Sequence, residues 1–266
     1  MTVPRPSLRR RAAGWLAALA LSACGGGGDS GAADSRTADV SQSADVAVLM
    51  MGNSHTGGAG LPARLQAALQ AALPGRSVFV YAVPRLAFLD EHLEDPATLA
   101  LLGARRWQAV VLQAQKYSSS GMVDYPTAAA EELVRRVRNS GAVPLLYPEW
   151  ARYGVDEADR IWALHAGIAA REPACVAPIP QAWSHALVAD PALRLHASDG
   201  NHAAEAGAQL TSLVLMATIT GISPASVGDV AGGGEAGLQA MLRGAAAAAL
   251  AAHGARSLCP GQPLIR

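Results

Sequence analysis

Short apolar runs that alternate with helical stretches constrain this chain more than any other feature. Residues 45–51 (DVAVLMM) form an apolar run ending at Gly52. Residues 62–73 then repeat apolar side chains at helical spacing, with proline near the first turn, where a missing amide costs nothing. Further strand candidates are 77–82, 109–112, 143–147 and a short 176–179, separated by helical stretches that include 127–139, 156–172 and 203–220. Gly232 to Gly234 mark a turn before a last helix. Strands alternating with helices of this length predict a parallel sheet with right-handed crossovers, covered on both faces. The expected fold class is α/β, three layers (α/β/α) around a central parallel sheet of about five strands. Such a sheet needs abundant apolar material, and 51% of the residues are apolar against 16% charged, which also excludes disorder as the whole answer. In open sheets of this kind functional residues gather at the carboxyl ends of strands. The segments to examine follow Met51, Ala82 and Leu112, together with a late loop that folds back over them.

A chain of 266 residues is read as one domain with terminal appendages. Arg9, Arg10 and Arg11 precede an apolar run from Ala12 to Ala23, and Leu21-Ser22-Ala23-Cys24 follows at once. The run is too short for a permanent membrane helix, which needs roughly 20 residues. The segment resembles a bacterial lipoprotein signal peptide with its lipobox. That implies cleavage before Cys24, lipid on its thiol, and an exported protein anchored to the cell envelope; an ordinary secretory peptide with a chance cysteine is the alternative. Cleavage removes Arg5, Arg9, Arg10 and Arg11 and no acid, so a formally neutral chain becomes mildly acidic. No basic stripe interleaved with aromatics is present, which argues against a nucleic-acid partner. Residues 25–44 are mostly Gly, Ser, Ala, Asp and Thr with little to bury, and read as a flexible tether. The expected organisation is a signal peptide over 1–23, a tether over 24–44 and a folded domain over 45–266. With Cys24 acylated, Cys175 and Cys259 remain in a compartment that permits disulfides. A bridge between them is expected, with two separate buried thiols as the alternative.

The first strand is followed by Gly52-Asn53-Ser54-His55-Thr56-Gly57-Gly58-Ala59-Gly60. A phosphate-binding loop would need Lys and then Ser or Thr after its second glycine, where Gly58 and Ala59 stand. The G-x-G-x-x-G spacing of a dinucleotide site is absent as well. The remaining functional reading is a nucleophile turn, with Ser54 near a helix start whose free amides can stabilise an oxyanion. The plain alternative is a helix cap or loop serine. Late in the chain, Ser198-Asp199-Gly200-Asn201-His202 runs into an apolar helix. Asp199 and His202 are three apart, so the carboxylate can hold one imidazole nitrogen and leave the other for a serine; an Asp cap with a surface histidine is the alternative.

Ser54 in the first block, with Asp199-x-x-His202 in the last, resembles the pattern of the SGNH (GDSL-type) hydrolases. The likeness extends over residues 45–227. The usual first block is Gly-Asp-Ser; Gly52-Asn53-Ser54-His55-Thr56 is similar to a variant of one branch. Val110-Val111-Leu112-Gln113-Ala114-Gln115 resembles that branch's third block, and Leu146-Tyr147-Pro148-Glu149-Trp150 its next strand end. The resemblance implies a flavodoxin-like sheet, a Ser54–His202–Asp199 triad, hydrolysis of carboxylic esters through an acyl-enzyme, and no required cofactor. Exported members often remove acetyl or other short acyl groups from carbohydrates. An acyltransferase with the same triad, or a non-catalytic binding protein on the scaffold, are the alternatives.

Two positions depart from the family. Its oxyanion donors are the serine amide, a glycine amide after the second strand and an Asn side chain after the third. Here Ala82-Val83-Pro84-Arg85-Leu86 has no glycine and Pro84 has no amide to give, so the Arg85 amide is the expected substitute. Gln115 is the expected side-chain donor, one methylene longer than Asn. His55 is either a substrate contact or a residue packed under the loop. His196 lacks the Cys and Glu partners of a metal site, so no metal is expected. Trp150 and Trp183 are either pocket walls or core lids.

Overall fold

The computed structural model describes residues 42–104, 106–230, 232–254, 258–262 and 264–265. The leader over 1–23, Cys24 and the tether up to residue 41 lie outside the described residues. Five strands form one sheet: β1 (Val46–Met51), β2 (Val78–Ala82), β3 (Ala109–Gln113), β4 (Val143–Tyr147) and β5 (Cys175–Val176). All pairings are parallel and the order is β2-β1-β3-β4-β5, with Met50 opposite both Ala82 and Val111. The chain order reverses direction across the sheet between β1 and β3, which opens a crevice at their carboxyl ends.

Successive β1 residues alternate between two cores. Val46, Val48 and Met50 face one, Ala47, Leu49 and Met51 the other, and all are fully buried. Burial on both faces explains why β1, β3 and β4 read as continuous apolar runs. The first core is closed by α2 (Leu61–Ala72), α7 (Ile179–Ala189), α8 (Glu205–Thr220) and α9 (Ala236–His253). The second is closed by α3 (Leu89–Leu93), α4 (Pro96–Ala104), α5 (Ala128–Asn139) and α6 (Ala158–Arg171). A short α1 (Ser54–Gly57) follows β1 directly. Helix α8 is buried from Gly207 to Thr220. Three of its hydroxyls are satisfied within the helix, Ser212 donating to the Gln209 carbonyl, Thr218 to Val214 and Thr220 to Met216.

The expected fifth strand over 176–179 is corrected. Strand β5 ends at Val176, and Ile179 opens α7, with Pro180 in its first turn, where proline favours a helix start over a ladder that needs its amide. Helices α3 and α4, over 89–104, were not expected from the sequence. Cys175 and Cys259 are joined by a disulfide across a sequence separation of 84, tying β5 to the segment after α9.

Candidate active site

Ser54 stands at the carboxyl end of β1 as the first residue of α1, so its amide has no intrahelical acceptor. The turn before it is tightly built. A β-carbon on Gly52 would lie 2.1 Å from Thr56 Oγ1 and 2.3 Å from Gln113 Oε1, so only glycine fits there. The Gly52 carbonyl accepts from the Ala87 amide at 3.1 Å and from the buried ring of His92 at 3.2 Å. Below the turn, Gln113 Oε1 accepts from the Asn53 amide at 2.9 Å and the Thr56 hydroxyl at 2.8 Å.

Asp199 and His202 sit in a turn that precedes α8. Gly200 adopts φ +70°, a left-handed conformation in which a side chain is strained, and lets the chain reverse between them. The Ala197 amide donates to the His202 carbonyl at 2.8 Å, and the Trp150 indole donates to the Asn201 carbonyl at 2.9 Å. These bonds hold the turn over β1. His202 Nε2 lies 2.8 Å from Ser54 Oγ, although 148 residues separate them. His202 Nδ1 is 2.5 Å from Asp199 Oδ2. Asp199 Oδ1 accepts from the amides of Asn201 at 2.9 Å and His202 at 3.0 Å. The His202 contact, then those amides, hold the Asp199 carboxyl well below the usual carboxylate range. A carboxylate can only accept, so His202 Nδ1 carries a proton toward Asp199. In the neutral ring Nε2 is then the acceptor, facing the serine hydroxyl. Such an arrangement can take a proton from Ser54 as its oxygen attacks a carbonyl.

A solved structure of a candidate SGNH hydrolase from Slackia heliotrinireducens is 28% identical, with a TM-score of 0.52 over 64% of this chain and 97% of that one. The crystal structure of a DUF4886 family protein from Bacteroides uniformis shares the fold at 15% identity, with a TM-score of 0.63 over 77% of this chain and 95% of that one. The likeness at 28% identity supports the fold of the SGNH hydrolase superfamily for this chain. No family profile and no curated protein matches it.

Against the superfamily's usual oxyanion donors, Gln115 is a correction. Its Nε2 donates to the carbonyls of Lys116 at 2.8 Å and Pro126 at 3.2 Å, which accounts for both amide hydrogens. The longer stem lets it pin the loop after β3 in place of facing the serine. Arg85 is exposed in the loop after β2, and its amide donates to no acceptor among the described residues. Ala114, between the two glutamines, has φ +76°, an outlier that turns the chain so that Gln113 and Gln115 serve different partners.

His55 is buried, stacked against His202 with ring centroids 4.8 Å apart and tilted against Trp150 at 5.2 Å. Burial, then the neighbouring His202, lower its pKa to about 4, so it is neutral at ordinary pH. Trp150 and Trp183 stack on each other at 4.3 Å inside the first core, so they are core lids and not pocket walls. His196 donates to the Ala151 carbonyl at 2.9 Å and packs edge-on against Trp183.

A cavity of about 480 Å³ is lined by Asn53, His55 and Asn201, the chain neighbours of Ser54 and His202, with Phe88, Tyr117 and Glu149 among others. Glu149 is the functional candidate that sequence reasoning missed. Burial pushes its carboxyl up to about 7, against the bond it accepts from Gln113 Nε2 at 2.9 Å. Its other oxygen is 3.7 Å from His55 Nε2. An acid two residues after an apolar strand, behind a proline and ahead of a tryptophan, was the available signal.

Proposed function

We propose that this protein is an exported, lipid-anchored serine esterase that removes short acyl groups, such as O-acetyl, from carbohydrate. The observation that carries the reading is the continuous hydrogen-bonded series from Ser54 Oγ through His202 to Asp199. In this reading Ser54 Oγ bonds to the ester carbonyl carbon while His202 Nε2 takes its proton, and Asp199 stabilises the resulting imidazolium. The alcohol leaves with that proton. Water, deprotonated by the same nitrogen, then attacks the acyl-enzyme and releases the acid. The cavity supports a hydroxyl-rich substrate: Phe88, Tyr117 and Tyr125 offer flat apolar faces, while Asn53, Glu149 and Arg152 offer polar contacts. Large exposed apolar side chains, Leu86, Phe88, Met122, Val123, Tyr125 and Tyr153, lie on loops after β2, β3 and β4, around the same edge. A second reading, a binding protein on this scaffold, is favoured by the commitment of Gln115 to backbone carbonyls.

Turnover of p-nitrophenyl acetate by the mature domain separates the two. The esterase reading expects Ser54→Ala and His202→Ala each to remove nearly all catalysis, on the order of 10⁵- to 10⁶-fold, and Asp199→Ala to cost less. Equal rates for wild type and Ser54→Ala would leave the binding protein as the answer.

A further inference from the structure

Four residues around the nucleophile turn pass hydrogen bonds along a ring that lacks one link. The Asn53 amide donates to Gln113 Oε1 at 2.9 Å, and Gln113 Nε2 donates to Glu149 Oε1 at 2.9 Å. From the other side, Asn53 Oδ1 accepts from the His55 backbone N–H at 3.0 Å and lies 3.2 Å from His55 Nδ1. A backbone N–H can only donate, so the atom it meets is the amide oxygen, and Nδ1 must carry a proton toward it. The neutral ring then leaves Nε2 as a bare acceptor. Nε2 faces the Asn201 carbonyl at 3.4 Å and Glu149 Oε2 at 3.7 Å. Of these two neighbours only a protonated Glu149 can donate. Its Oε1 is taken by Gln113, so the acid hydrogen belongs on Oε2. Burial favours that state, because it holds the Glu149 pKa at about 7 and the His55 pKa at about 4, and the proton resides on the carboxyl.

We propose that the Glu149 proton, donated to His55 Nε2, closes this ring and holds His55 against His202, so that His202 meets Ser54 in register. The proposal rests on the esterase reading and makes Glu149 a positioning residue. The two imidazoles stack with centroids 4.8 Å apart, so a shift of one is felt by the other. The gap of 3.7 Å is about an ångström longer than a hydrogen bond, and that much side-chain movement closes it. An ionised Glu149 would set its lone pairs against the bare Nε2, and the ring would open behind His202. The other titratable and charged groups facing Glu149 are Glu157, Arg152, Tyr117, Tyr147 and His202. Arg152 and Glu157 hold each other in an ion pair at 3.1 Å, and burial pushes both phenols above their ordinary range. His202 works in its neutral form, which rising pH favours. Loss of the Glu149 proton is therefore the event that would lower activity as pH rises past about 7.

Background-corrected kinetics on p-nitrophenyl acetate from about pH 5 to about pH 9, with melting curves at each pH, test this on wild type, Ser54→Ala, Glu149→Gln and Glu149→Leu. Wild-type kcat/KM should fall on the order of tenfold or more from about pH 7 to about pH 9, as Glu149 gives up its proton. Glutamine offers an oxygen to Gln113 and a permanent N–H to His55, so the Glu149→Gln profile should show no such fall. Glu149→Leu, which fills the site without a donor, should lose roughly 100-fold in kcat at neutral pH with little change in KM, as a misplaced catalytic group does. A wild-type rate that stays level toward alkaline pH, a Glu149→Gln rate that falls with it, or a folded Glu149→Leu within about threefold of wild type overturns the proposal and leaves the esterase reading standing. If Glu149→Leu does not fold, the two pH profiles decide. Wild type without Ser54-dependent turnover overturns both.

Discussion

Glu149 shows how one residue's environment sets its chemistry. The residue is 8% exposed, and burial holds its pKa at about 7 against an ordinary 4.5. Between those two values the folded protein keeps a proton that the unfolded chain has released. Folding then takes up a proton, and stability falls as pH rises from 4.5 to 7, levelling above. At about 1.4 kcal/mol for each pH unit, the loss is on the order of 3 kcal/mol. Glu149→Gln keeps an acceptor for Gln113 and does not titrate. Denaturation at pH 4.5 and pH 8 should show the variant gaining on wild type by roughly that amount at the higher pH. An equal difference at both pH values would mean the carboxyl is not held protonated. Motif reading reached Ser54, Asp199 and His202, because a hydroxyl, an acid and an imidazole at suitable spacing suggest their own chemistry. It did not reach Glu149, whose role depends on what covers it, nor the commitment of Gln115 to backbone carbonyls, which depends on which acceptors its amide meets.

At the scale of elements, the strands were legible where burial on two faces made them uniformly apolar. Strands β1, β3 and β4 lie within a residue of the expected runs. The fifth was misplaced because Pro178 and Pro180 punctuate the segment, and proline marks strand ends and helix starts alike. Helices α3 and α4 were missed since α3 is short and α4, rich in leucine and alanine, lacks a polar stripe to declare a period. The disulfide acts at this scale: β5 has two residues and lies at the sheet edge, and Cys175 ties it to the chain beyond α9. A bridge closing a loop of this size stabilises by about 4 to 5 kcal/mol in the chain-entropy model. Replacing both cysteines with serine should lower the free energy of urea unfolding by up to that amount while leaving Ser54 and His202, held by other elements, in register. Unchanged stability, or esterase activity lost before the protein unfolds, would contradict this division.

For the whole molecule, the described chain enters β1 at the end opposite Ser54. The strand begins at Val46, just after the proposed tether, and ends at Met51 beside Ser54. A flexible tether of about 20 residues has a root-mean-square span of about 25 Å. A domain held by its far edge would leave the Ser54 side free to meet substrate away from the bilayer. The proposal requires Cys24 to carry lipid and residues 1–23 to be absent. Intact mass of the membrane-extracted protein should show a chain beginning at an acylated Cys24; a water-soluble protein with that thiol unmodified would end it.

The sequence by itself determined the α/β class, the parallel sheet and the presence of the three side chains that meet at its carboxyl edge. Apolar periodicity is a local record of burial, and reactive residues must be present in order to act. Only the tertiary structure decided that Ser54 and His202 meet across 148 residues. No local force draws them together; the parallel register of β1 and the turn at Gly200, pinned by Trp150, does. It also decided which partner each polar group meets. Gln115 and Asn53 both carry an amide, but a hydrogen bond is settled by the partner that packing supplies: Gln115 Nε2 meets two carbonyls, and Asn53 Oδ1 meets the His55 amide.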